Sequence, residues 1–429
     1  MVRTSFFDVA PSAARLTGSL RDIGYDFPTA VADLVDNSIA AGARSVNIEL
    51  VFEPRESYVL ISDDGKGMSP TGLLEALRFG SRRDYTRNEL GRFGLGLKTG
   101  SFSQCRRLTV VSRQAPTQPR VHIRTLDLDY IERHDTWSVL ADEYSDAIAR
   151  AESILQEGPG TVVVWETLDR VLPERYAESG WGRRRLNNLA KKTAEHLSMV
   201  FHRFIAGDGA DSVALSVNGE KLAAWDPFAT SEPHTEVQPT EIFEVETDLG
   251  SSDVRFTGYV LPPRDRFTTQ EQFERLSGAL KWNRQQGLYI YRANRLVQFG
   301  GWNGLRGIDE HTKLARASID FDSDLDETFQ INVAKMSVVL PPSLKSMLER
   351  PVHELCMRAE AAYRQAASGG ETRRTSGKSS TFDGVATREI GVALKAALLE
   401  SADQDLEIFR RALDVLKTRD PVLAQTLGL

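Results

Sequence analysis

Three short stretches hold residue types whose spacing could do chemistry on an anionic ligand. The first is Asp33, Asp36 and Asn37; the second is the turn Asp63-Asp64-Gly65-Lys66-Gly67 followed by Met68. The third is the loop Gly91-Arg92-Phe93-Gly94-Leu95-Gly96-Leu97-Lys98-Thr99-Gly100. A glycine loop that runs into a helix exposes backbone N–H groups able to cradle phosphates, and its missing side chains let the backbone approach closely. The loop does not follow the P-loop pattern, because Leu97 separates Gly96 from Lys98. Nor does it follow the dinucleotide pattern, because three residues separate Gly96 from Gly100. Between positions 78 and 113 nine Lys/Arg face two acidic residues, in a chain whose formal net charge is −7. Such a run reads either as a solvated, charge-rich surface or as an anion site, and the glycines threaded through it favour the anion.

These stretches need elements to hold them. Residues 28–41 read as a helix: Val31, Leu34, Val35 and Ile39 keep helical spacing, Pro28 suits the first turn and Gly42 the stop. Asp33 and Asn37, four apart, then share the polar side of that helix. Strands are expected at 45–52, 58–62, 108–112, 121–126 and 161–165, with a long helix at 183–204. Together they describe an α/β sandwich over residues 1–208. A second block, 209–350, opens with strands at 213–222 and 253–261, where Asn218-Gly219 offers a hairpin turn, and adds a strand at 288–291. A helix at 351–367, a Gly/Ser/Thr/Arg-rich flexible linker at 368–385 and a helical tail at 386–429 complete an α+β chain. With 429 residues, more than one core is required.

Bulk properties narrow the class. No apolar run approaches the roughly 18 residues that a membrane span needs, so no membrane association is expected. The N-terminus lacks the continuous apolar stretch of a secretory signal. Cys105 and Cys356 are too few for a disulfide framework or a zinc site, and a cytoplasmic protein is expected. The acidic balance argues against a generally basic nucleic-acid binder.

Taken in order, Asp33-Leu-Val-Asp-Asn37, Asp63-Asp-Gly-Lys-Gly67 and Gly91-Arg-Phe-Gly-Leu-Gly96 resemble the first three motifs of the GHKL superfamily, named for gyrase, the large heat-shock chaperone, histidine kinases and MutL. Gly160-Thr161, opening a strand, resembles the fourth element. A Lys after the glycines resembles the MORC-type branch. The resemblance covers about residues 10–350 and implies a Bergerat-type ATP-binding sandwich followed by a transducer-like domain.

It also implies roles. Asp63 would accept from the adenine amino group with Thr161 helping through a water, while Gly65, Gly67 and Met68 line the base pocket. Asn37 would hold Mg²⁺ through its side-chain oxygen, a hard ligand. The loop residues Gly91, Arg92, Phe93, Gly94, Leu95, Gly96 and Thr99, with Lys98, would hold the phosphates, and residues 80–89 would form the lid. Asp33 would be the general base and Lys335, in Gln330-Ile-Asn-Val-Ala-Lys335, would reach the γ-phosphate; a surface lysine is the plain alternative. The sequence departs from the family twice: Asp33 stands where Glu is usual, and Ala40 stands where many relatives have Asp. The implied function is an ATP-gated switch that forms a homodimer on binding ATP, with double-stranded DNA or a DNA-processing protein as client. A chaperone-like ATPase and a nonhydrolysing ATP-dependent binding module are the alternatives.

Overall fold

The computed structural model describes residues 11–22, 24–80, 96–114, 118–141, 143–176, 178–207, 212–247, 250–278, 281–331 and 338–372. The loop residues Gly91 to Leu95, the lid beyond Gly80, Lys335, most of the linker and the tail lie outside them. The chain divides into two units, residues 1–366 and 367–429; the architecture below is that of the first, with one helix running on past its end.

Helices α1 (Ala13–Arg21) and α2 (Phe27–Ala40) come first. Asp26 starts α2 by accepting the Thr29 N–H, with Pro28 in the first turn where its missing N–H costs nothing. Then follow β1 (Ser45–Val51), β2 (Tyr58–Asp63), α3 (Pro70–Leu77), α4 (Gly96–Phe102), β3 (Arg107–Gln114), β4 (Gln118–Asp127), α5 (Leu128–His134), β5 (Leu140–Ala141), α6 (Asp146–Ile154) and β6 (Gly160–Glu166). The helix expected at 183–204 is two, α7 (Gly180–Val200) and α8 (His202–Ala206), separated at Phe201. The hairpin β7 (Ala214–Val217) and β8 (Glu220–Lys221) turns on Asn218 and Gly219, both at positive φ.

These strands form one sheet in the order β5-β4-β3-β6-β2-β1-β7-β8. Strand β7 adds parallel to β1, so residues 214–221 extend the first layer and do not open the second block as expected. Residues Tyr58 to Ile61 of β2 are apolar without alternation because both faces of the strand are covered. Val59 and Ile61 pack with α2 and α7 in the main core, and Tyr58 and Leu60 join Ala147, Ile148 and Ala151 of α6 on the other face.

A second sheet contains β9 (Glu236–Val237), β10 (Glu241–Thr247), β11 (Gly250–Val260), β12 (Gly287–Arg292), β13 (Arg295–Phe299) and β14 (Ala315–Phe321), in the order β10-β11-β14-β12-β13 with β9 beside β11. Helices α9 (Gln270–Ser277) and α10 (Lys281–Gln285) lie between β11 and β12 in sequence. Helix α11 (Pro342–Thr372) covers one face: Leu344, Leu348, Val352 and Leu355 pack with Leu288 and Ile290 of β12. It starts before and ends after the expected 351–367, and Pro351 inside it forgoes one backbone hydrogen bond without ending it. On the opposite face Tyr289, Tyr291 and Leu296 cluster with Phe228, against Met199 of α7. The result is an α+β fold in which α7 joins two sheet layers. Among the described residues no helix is long and apolar enough to cross a membrane.

Candidate functional site

Strand β2 ends on Asp63, which pairs with Thr161 at the start of β6. One carboxylate oxygen of Asp63 accepts from the Ser38 hydroxyl at 2.9 Å and the other from the Gly65 N–H at 3.0 Å. Burial raises its pKa above the usual carboxylate value, against the lowering effect of these bonds and of one from Thr161. Gly67, at φ +64°, lies so close to β3 that a Cβ there would sit 2.0 Å from the carbonyl oxygen of Arg113. A Cβ on Gly160 would sit 2.1 Å from the carbonyl oxygen of Asp63. Both positions therefore exclude any side chain. Met68 donates its N–H to Ser112 Oγ at 2.9 Å, and that hydroxyl reaches the Gly160 carbonyl and Thr161 Oγ1, each at 2.9 Å. One serine thus holds Met68, Gly160 and Thr161 together.

Helix α2 presents its residues differently from the shared polar face expected. Asn37 is exposed, whereas Asp33 is 3% exposed and Asp36 fully buried. The reason is that α4 and β13 close over this turn of the helix. A Cβ on Gly96 would lie 3.3 Å from an Asp33 carboxylate oxygen, so the glycine lets α4 begin against the carboxylate. Arg295 of β13 places its Nε 2.9 and 2.8 Å from the two oxygens of Asp36, and a terminal nitrogen 3.7 Å from Asp33. Burial first, and then the charge of Asp33, push the Tyr25 hydroxyl above its ordinary pKa. Carboxylate, phenol and guanidinium meet at one buried spot.

Thr99 and Lys98 of α4 are also buried. The Lys98 ammonium was expected at phosphates; here it donates at 2.9 Å to the carbonyl of Ala76, one of the carbonyls that the end of α3 leaves unpaired. Burial lowers its pKa to about 8, with Glu75 opposing. The described cations of the basic stretch are likewise engaged: Arg78 with Glu75, Arg106 with Asp129 and Glu132, Arg107 with Glu143, and Arg113 with the carbonyls of Leu155 and Gln156. Among the described residues of that stretch, each cation is held by a local bond.

The structure therefore brings Asp63, Gly65, Gly67, Met68 and Thr161 into one corner, and Asp33, Gly96 and Thr99 into another, with Ser38 of α2 bonded to the first. Ser38, Ser112, Tyr25 and Arg295 are not among the residues expected from the sequence; Ser38 follows Asn37 directly, but no periodicity marks the other three. Chemically, the first corner offers an acceptor for a ligand N–H and the second a buried carboxylate with a guanidinium nitrogen 3.7 Å away. Asn37 is exposed one helical turn from Asp33, and one hard oxygen completed by ligand phosphates and waters suits Mg²⁺.

Residues 25–161 match the family described as histidine kinase-, DNA gyrase B-, and HSP90-like ATPase. Three curated proteins are similar over part of the chain. ATPase morc-1 of Caenorhabditis elegans is 36% identical over 86 residues, 20% of this chain and 10% of that protein. Protein MICRORCHIDIA 6 of Arabidopsis thaliana is 33% identical over 114 residues, 25% of this chain and 17% of its own length. Protein MICRORCHIDIA 5 of the same plant is 34% identical over 80 residues, 17% of this chain and 11% of its own. The chain thus spans less than a fifth of the length of each of these relatives.

Proposed function

We propose, from the premise that residues 25–161 are a GHKL-type ATPase domain similar to those of MORC proteins, that this chain binds and hydrolyses ATP and uses the cycle as a conformational switch. The observation that carries this reading is the Asp63 corner: a carboxylate fixed by Ser38 and Gly65, floored by two positions that admit only glycine.

In this reading Asp63 accepts from the adenine amino group, Thr161 assists through a water, and Gly65, Gly67 and Met68 line the base pocket. Asn37 contributes an oxygen to Mg²⁺, which when bound neutralises phosphate charge. Residues 91–96, Lys98 and Thr99 surround the phosphates, and Lys98 must leave the Ala76 carbonyl to do so. Asp33 accepts the proton of the attacking water as the bond between the γ-phosphorus and its bridging oxygen breaks. Its side chain is one methylene shorter than the usual Glu, and a misplacement of about 1 Å can cost roughly a hundredfold in rate, so slow turnover is expected. Lys335 contacts only the triphosphate state, giving the second sheet a differential affinity of the kind a switch requires. ATP-dependent homodimerisation and work on double-stranded DNA or a DNA-processing partner, in DNA transactions or defence against foreign DNA, are carried over from the resemblance to the GHKL superfamily by analogy of domain alone.

The test is phosphate release from the full chain and from Asp33→Asn. Turnover lost with ATP binding retained supports Asp33 as base; undiminished turnover removes it from that role.

A further inference from the structure

The turn between β12 and β13 carries two buried arginines that hold different parts of the molecule. Arg292 and Arg295 face each other as the last pair of the hairpin, and Ala293 and Asn294 between them take φ of +46° and +66°, the left-handed geometry of a tight two-residue turn. Each arginine is 2% exposed. Arg292 forks onto Asp326, with nitrogen–oxygen distances of 2.6 and 2.8 Å. Arg295 reaches across the chain to α2, holding Asp36 through Nε at 2.9 Å and standing 3.7 Å from Asp33. Its guanidinium lies over Phe201, the residue that separates α7 from α8, with 5.8 Å to the ring centroid. Arg203 of α8 donates to Asn294 at 3.3 Å and is ion-paired with Asp320 of β14, so the turn itself is anchored from a third side.

Burying a guanidinium is costly unless its partner geometry is good, so each of these contacts constrains where its carboxylate stands. Asp33 and Asp36 are three apart on one helix, which places both within reach of a single planar group. Arg292, paired with Arg295 across the same turn, sets Asp326, from which the chain proceeds toward Lys335. The hairpin turn is therefore a common mount for the helix that bears Asp33 and for the start of the 326–341 stretch.

We propose that the Arg292–Arg295 turn is a positioning element for the hydrolytic site: Arg295 fixes the orientation of Asp33 by gripping Asp36 and standing beside Asp33, and through the same turn nucleotide occupancy at α2 is transmitted to the second sheet. This rests on the reading of Asp33 as the base and assigns Arg295 no contact with substrate.

The experiment uses the full chain as wild type, Arg295→Met, Arg295→Lys and Arg292→Met. Phosphate release, calorimetric affinity for a nonhydrolysable ATP analogue with Mg²⁺, melting temperature, and amide exchange of residues 287–299 with and without the analogue are measured together. Arg295→Met is expected to lower kcat by roughly a hundredfold, the scale of a misplaced catalytic group, while affinity stays within about threefold. Arg295→Lys recovers only part of the loss, because an ammonium cannot span both carboxylates as the planar fork does. The analogue changes exchange across 287–299 in wild type and not in Arg295→Met, and Arg292→Met weakens that response. Wild-type kcat and an unaltered exchange response in Arg295→Met overturn the proposal, as does a parallel fall in kcat, affinity and melting temperature, which would mark a merely structural pair. If wild type binds the analogue but releases no phosphate, the hydrolysis reading fails alone and the exchange response still decides transmission. If wild type binds nothing, both fall.

Discussion

Ser38 donates its hydroxyl to Asp63 at 2.9 Å, joining the helix that carries Asp33 and Asn37 to the end of the strand that carries Asp63. That bond gives the carboxylate proposed to accept from adenine and the amide proposed to hold Mg²⁺ one shared frame, since Ser38 is the next residue after Asn37. It also opposes the burial that raises the pKa of Asp63.

Ser38→Ala should therefore weaken ATP binding, by about 0.5–1.5 kcal/mol for one lost hydrogen bond, or roughly two- to tenfold in Kd. The sign of the pH effect follows from the proposed role. Ionised Asp63 is the stronger acceptor, so affinity falls as pH drops through its folded pKa, and removing Ser38 moves that fall to higher pH. Titrations of ATP at a series of acidic pH values, wild type against variant, check this; superimposable profiles would exclude Ser38 from the site. Stability runs the other way: a buried carboxylate with a raised pKa binds its proton more readily folded than unfolded, so its destabilising contribution is relieved on acidification.

Gly67→Ala and Gly160→Ala should each unfold the site before any ligand arrives. The added Cβ would meet a backbone carbonyl oxygen at 2.0 or 2.1 Å, and neither carbonyl is a flexible side-chain tip. A loss of about 1–3 kcal/mol is expected, the range for overpacking, and the positive φ at both positions, +64° at Gly67 and +155° at Gly160, adds to it. Thermal unfolding measures it. A wild-type melting temperature in either variant would mean that the backbone approach drawn between β2, β3 and β6 is wrong.

Lys98 supplies a basic limb. Its pKa is lowered to about 8 by burial, so it begins to lose its charge in a range where an exposed lysine would keep it. If the ammonium reaches phosphate, ATP affinity should fall as pH rises past about 8 and should do so later in the presence of saturating nucleotide. Stability has the opposite trend. The folded state holds fewer protons than the unfolded state between the lowered and ordinary pKa, so the Lys98 contribution grows more favourable as pH rises through that window. Lys98→Met should abolish both trends; a variant that keeps the same affinity profile would leave Lys98 as a structural cap on α3.

Much of the first layer was legible because it is local. Pro28 and Gly42 bound α2 through backbone restriction, Asn218-Gly219 fixes the β7–β8 turn, and the alternation of strand residues survives in both sheets. What the sequence could not carry was set by distant contacts. Arg295 and Asp36 are 259 positions apart, and no spacing links them, so Asp33 read as one of two exposed partners on a helix when β13 in fact covers it. Residues 214–221 pattern as strands without revealing which sheet accepts them, and they add to β1. Lys98 is of a type that is rarely buried, so a ligand-facing role was the natural reading, and its bond to the end of α3 comes from how α3 and α4 meet. The glycines at 67 and 160 were visible, but the carbonyls that demand them belong to β3 and β2.

The most direct test of the central claim is a calorimetric titration of ATP with Mg²⁺ into the full chain and into Asp63→Asn. The account expects saturable binding by wild type and a loss of about 1.5–3 kcal/mol, roughly ten- to a hundredfold in Kd, when the charged acceptor is removed. Equal affinities in the two proteins, or no heat of binding in wild type, would contradict it.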